Sequence, residues 1–149
     1  MSLTLVVVSF AVIGLLMLIW IKRARVRQEI ERHSITAEEL HALLESQQGI
    51  LLFDVRRPLD MFANSEVVPG AKRVAPHELF QNPSLIPKER DAIVYCTCPG
   101  EETSRKVLRL ALAMGFSRFK FLKGGLAAWK TKGYPLQPYV DPIPLEAAK

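Results

Sequence analysis

Cysteine is nearly missing from this sequence: only Cys96 and Cys98 occur, and both fall in one short stretch. Histidine is scarce too, and His33, His41 and His77 all lie far from the two cysteines along the chain. Two thiols and three scattered imidazoles do not make a four-ligand zinc site, so no metal is expected. No cofactor is expected either. Charge is absent from Leu3 to Ile21, a run interrupted only by Thr4, Ser9 and Gly14. The net charge of +5 is unevenly placed, because Lys22, Arg23, Arg25, Arg27 and Arg32 stand against only Glu29 and Glu31 in the following stretch. With the excess beside an apolar span rather than on a globular face, a nucleic-acid partner is excluded.

The apolar run is long enough to cross a bilayer: at about 1.5 Å per residue it spans about 28 Å as a helix, close to the roughly 30 Å hydrocarbon core. A cleavable signal peptide would carry its positive charge before the run and a small-residue cleavage site after it. Here the basic cluster follows, and no Ala-x-Ala site is present. The run therefore reads as an uncleaved signal anchor contacting lipid through residues 3–21, with Trp20 at the interface. The basic flank predicts a single-pass protein of the bacterial inner membrane whose C-terminal domain is cytoplasmic. The expected division is anchor and juxtamembrane linker at 1–33, one globular domain at 34–138, and a loosely held tail at 139–149.

Thr36-Ala37-Glu38-Glu39 has the form of a capping box leading into Leu40, Leu43 and Leu44, a helix expected to end at Gly49. His41 on that helix reads as a surface residue. Ile50 to Val55 is a continuous apolar strand with Asp54 near its end, of the kind buried on both faces. A short helix or loop follows through Met61 and Phe62. A brief strand is expected at Lys72-Arg73-Val74 and a one-turn helix with Pro76 at its first position. Strands are then expected at Ala92 to Tyr95 and Phe116 to Leu122, and Gly124-Gly125 opens a helix running through Trp129. Strands alternating with helices indicate an α/β fold, a central parallel sheet flanked by helices, preceded by one transmembrane helix.

The chemistry concentrates in Ile93-Val94-Tyr95-Cys96-Thr97-Cys98-Pro99-Gly100-Glu101-Glu102-Thr103-Ser104, read as strand, tight loop and helix start. Successive N–H groups at such a junction can cradle an anion, and a thiolate is one. Lowering a thiol pKa from about 8.5 to about 6.5 would raise the thiolate fraction near pH 7.5 by roughly an order of magnitude. Intrinsic nucleophilicity would fall by roughly six- to tenfold over the same interval. The two effects nearly cancel, so the advantage of the cradle lies in holding an anionic sulfur species such as a persulfide.

Leu52-Phe53-Asp54-Val55-Arg56-Arg57-Pro58, Pro69-Gly70-Ala71, Ile93-Val94-Tyr95-Cys96, Gly115-Phe116, Lys123-Gly124-Gly125-Leu126-Ala127-Ala128-Trp129 and Gly133-Tyr134-Pro135, in that order, resemble the landmarks of a rhodanese domain. The resemblance implies a small α/β sulfurtransferase domain whose cysteine, at the end of the fourth strand, cycles through a persulfide. Asp54 and Arg56 match the family's Asp-Val-Arg pattern, in a supporting role of loop orientation, structural pairing or substrate contact, and Trp129 matches a core aromatic.

Three departures stand out. Counting back from Gly115 places Cys98 at the catalytic position, whereas aligning the strand end places Cys96 there with two inserted residues. Cys96 is preferred, because the sulfur is needed at the start of the loop with the N–H groups still to come; Cys98 is the alternative. Glu101 and Glu102 replace the family's basic loop residues, and a like charge costs on the order of 1–2 kcal/mol against a thiosulfate dianion. A small-molecule or protein persulfide donor and a thiol acceptor are therefore expected. Finally, the segment between Pro58 and Pro69 is longer than usual and lacks the histidine often found there.

Two other readings stay open: a non-catalytic rhodanese-like module that binds a membrane-protein partner, and a Cys-x-Cys redox site. A cysteine phosphatase needs an arginine six residues after its nucleophile; Glu102 and Ser104 occupy those positions, so that activity is excluded from either cysteine.

Overall fold

The computed structural model of the protein describes residues 3–46, 48–97 and 102–141. Its contacts divide the chain into two units, Met1–Arg32 and His33–Lys149. The first is one helix, α1 (Leu3–Arg32). Its described part from Val6 is long and apolar enough to cross a membrane, and its large hydrophobic side chains, including Phe10, Leu16 and Trp20, are exposed.

The second unit is built on a five-stranded sheet in the order β1-β6-β5-β2-β4, parallel throughout. Its strands are β1 (Ser34–Ile35), β2 (Leu51–Asp54), β4 (Lys72–Arg73), β5 (Ala92–Tyr95) and β6 (Phe119–Leu122). Between them lie α2 (Ala37–Glu45), α3 (Pro58–Ala63), α4 (Pro76–Gln81) and α5 (Glu102–Ala113), and α6 (Gly125–Thr131) follows β6, while β3 (Glu66–Val67) pairs antiparallel with β7 (Gln137–Pro138). Central strand β5 is buried at every residue, as continuous apolar composition predicts for a sheet covered on both faces. On one face Leu52, Ile93, Tyr95 and Leu122 pack with Leu40 of α2 and with Leu126 and Trp129 of α6. On the other, Phe119 shares a small apolar cavity with Leu79 of α4 and with Val107 and Leu110 of α5.

Local signals produced the expected local structure. The Thr36 hydroxyl accepts from the Glu39 N–H at 3.2 Å and the Glu39 carboxylate accepts from the Thr36 N–H at 2.9 Å, closing the capping box. Pro58 and Pro76 each sit in the first turn of a short helix.

Several expectations need correction. Helix α2 stops at Glu45, before Gly49, whose φ of +65° belongs to the following turn. Strand β6 begins only at Phe119, so Phe116 to Arg118 are a connection. Edge strand β1 was not foreseen. Gln137–Pro138, at the end of the expected domain, pair with β3, and the Tyr139 N–H donates to the Ser65 carbonyl at 2.8 Å. Nor is His41 a bare surface residue: its ring stacks on Tyr134 with centroids 4.1 Å apart.

Candidate functional site

In a parallel sheet every strand ends at the same edge, where ligands collect. Here Asp54 lies opposite both Tyr95 and Arg73 in the strand register. Cys96 is the first residue past β5, and it is 1 % exposed. The Val55 N–H donates to the Tyr95 carbonyl at 3.0 Å, extending the pairing of β2 and β5 up to the cysteine. The Cys96 carbonyl accepts the Leu126 N–H at 3.0 Å, which fastens the start of the loop to the first turn of α6. Gly125, with φ at +54°, makes that approach possible, since a Cβ there would stand 2.1 Å from the Cys96 oxygen.

A buried polar network holds the strand ends beside the cysteine, joined to it through its sequence neighbour Tyr95. Asp54 and Arg56 are fully buried. The Arg56 Nε donates to both Asp54 carboxylate oxygens at 2.9 and 2.8 Å, and Nη2 donates to Oδ2 at 2.5 Å. The remaining guanidinium donors reach the carbonyls of Asn64 at 2.7 Å and Glu66 at 2.9 Å, pinning the segment after α3 to the strand end. The Tyr95 hydroxyl donates to Asp54 Oδ2 at 3.0 Å and accepts from the Val68 N–H at 3.1 Å. Burial, reinforced by the Asp54 carboxylate, pushes the phenol well above its ordinary pKa, so it stays protonated and donating. Asp54 and Arg56 are thus joined to each other and to the backbone within the interior.

Cys96 and Thr97 follow β5, and Thr103 and Ser104 lie in the first turn of α5, Thr97 and Thr103 half-buried and Ser104 fully buried. The Ser104 Oγ makes no hydrogen bond among the described residues. Cys98, Pro99, Gly100 and Glu101 lie outside the described residues, as does the side chain of Glu102. Among the described residues no three His, Cys, Asp or Glu side chains converge as metal ligands.

Two contributors escaped sequence reasoning. Tyr95 read as one more apolar strand residue, although a tyrosine ending a buried strand must find a partner for its hydroxyl. Gly125 read as part of a helix start, and its contact with Cys96 is formed only through space.

Comparison with known proteins places this architecture. A "Sulfurtransferase" of Allochromatium vinosum is 29% identical over 104 residues, covering 70% of this chain and 94% of its own length. The solution structure of a rhodanese-like domain from Anabaena is 28% identical, with a TM-score of 0.61 over 78% of this chain and 87% of that one. A thiosulfate sulfurtransferase structure from Pseudomonas aeruginosa is 26% identical with a TM-score of 0.59, over 74% of this chain and 21% of that one. The model of the rhodanese-like domain family matches residues 36–132, well over half of the chain. With its parallel sheet, its strand-end cysteine and that match, the chain belongs to the rhodanese-like domain family.

Proposed function

We propose that the protein is a membrane-anchored sulfurtransferase that carries sulfane sulfur on Cys96. The observation that carries this reading is the position of Cys96, directly past buried strand β5 at the sheet edge with its carbonyl fastened to α6. Family membership and the Allochromatium relative support the reaction class. In the proposed cycle the Cys96 thiolate attacks the terminal sulfur of a persulfide donor. The donor S–S bond breaks, the donor thiolate leaves, and the new S–S bond makes Cys96 a persulfide. An acceptor thiolate then attacks that outer sulfur, takes it as its own persulfide and returns Cys96 as thiolate. Electrons balance without an external oxidant or reductant.

Mass spectrometry after incubation with glutathione persulfide tests this. An adduct of about 32 Da, one sulfur, is expected on the wild type, lost in Cys96→Ser and kept in Cys98→Ser. The opposite pattern moves the role to Cys98. The Pseudomonas protein is named for thiosulfate. The acidic pair Glu101-Glu102 of this chain argues for poor loading from thiosulfate, and equal loading from both donors would refute that preference.

A second reading, a non-catalytic module for a membrane-protein partner, is favoured by the 1 % exposure of Cys96, because burial disfavours a thiolate. No sulfur adduct on either cysteine would decide for it. The basic residues from Lys22 to Arg32 support a cytoplasmic domain.

A further inference from the structure

The geometry points to Gly125 as a positioning residue for the Cys96 sulfur. By admitting the Cys96 carbonyl to the first turn of α6, it turns the Cys96–Thr97 peptide so that the Thr97 N–H faces the side on which the sulfur lies. The inference rests on Cys96 being the sulfur carrier and extends the site to a residue outside the loop.

In a trans peptide the C=O and the following N–H point in opposite directions. The Cys96 carbonyl is directed at the Leu126 N–H, 3.0 Å away, so the Thr97 N–H is directed away from α6. Ile93 and Tyr95 share the face of the sheet that packs against α6. Because the Val55 N–H donates to the Tyr95 carbonyl, the extended pairing reaches Cys96, and its alternation carries Val94 and then Cys96 to the opposite face. The Thr97 donor and the sulfur therefore lie on one side, and the carbonyl oxygen on the other. With this peptide turned over, a partial negative charge would replace a donor beside an anionic sulfur.

Only glycine permits the arrangement. A Cβ at position 125 would lie 2.1 Å from the Cys96 oxygen and 3.1 Å from the Cys96 carbonyl carbon. Neither of these backbone atoms can step aside as a flexible side chain could. Gly124 supplies the control. Its φ is +75°, and a Cβ there would meet Ala128 Cβ at 2.7 Å, straining the same helix start from its other side.

The experiment uses the full chain in detergent, in a Cys98→Ser background, and follows the pH dependence of Cys96 alkylation by iodoacetamide with mass-spectrometric readout. Gly125→Ala should raise the midpoint by about one pH unit, equivalent to about tenfold less alkylation at a fixed pH below it. Gly124→Ala should leave the midpoint in place while lowering the melting temperature. An unchanged midpoint in folded Gly125→Ala, or an equal rise in Gly124→Ala, overturns the inference. If Gly125→Ala does not fold, replacing the Leu126 amide by an ester removes that N–H without adding a side chain. The same rise is expected there, and its absence is equally fatal. Sulfur loading of the wild type separates the two claims: no adduct together with an intact Gly125→Ala shift discards the carrier reading and leaves the positioning effect standing.

Discussion

At the scale of single residues, the candidate site is governed by how completely its charges are compensated. Asp54 and Arg56 are buried without solvent, and every Arg56 bond described above ends on Asp54 or on a backbone carbonyl. Removing one member strands the other, a loss of about 3–5 kcal/mol for a buried pair. Arg56→Ala should therefore lower stability by that order in urea unfolding, whereas Arg57→Ala, whose exposed side chain pairs with Asp60 at 3.1 Å, should cost little. Equal losses would show the buried pair to be no more than ornament. Tyr95→Phe leaves the Val68 N–H without its acceptor and should cost about 1–3 kcal/mol. The Asp-Val-Arg string was visible in the sequence, but the third partner was not: the hydroxyl meets Asp54 only once β2 and β5 are aligned.

At the scale of elements, what could be read was what neighbouring residues decide. Thr36 with Glu39, and Pro76, begin helices through contacts within one turn, and both begin where expected, while Pro58 opens a helix in a stretch that read equally as short helix or loop. Strands β1, β3 and β7 have two residues each and exist only because distant partners meet them: Ser34 pairs with Phe121, and Glu66 with Pro138. No periodicity can build up in two residues. The start of β6 was misjudged for a related reason, since Phe116 is buried without belonging to the strand, and apolar character alone does not separate the two cases. The lower ends of β5 and β6 are joined by Arg118, whose Nε donates to Asp91 at 2.8 Å. That hydrogen bond holds the Asp91 carboxyl below its usual range near 3.8. A lowered folded-state pKa gives stability above the ordinary value that is lost as pH falls through the lowered one. The stability gap between wild type and Asp91→Asn should thus be open at pH 6 and narrow as the pH falls below the ordinary carboxylate range; a gap that persists in strong acid would assign it to packing instead.

At the scale of the whole molecule, sequence and structure agree on a helix fit to cross a bilayer and a rhodanese-like domain after it. The proposed cytoplasmic placement of that domain rests on the basic flank of the helix alone. Protease added to inside-out vesicles should digest the domain, and protease added to right-side-out vesicles should spare it; the reverse would overturn the proposed orientation. The sheet itself carries one more consequence. Its two outermost strands, β1 and β4, are only two residues long, so neither edge offers a neighbouring copy a row of amides to zip onto. Confinement to a bilayer would crowd such domains into two dimensions, where long bare margins would invite clumping, and a sheet trimmed this short is suited to living at high surface density without it.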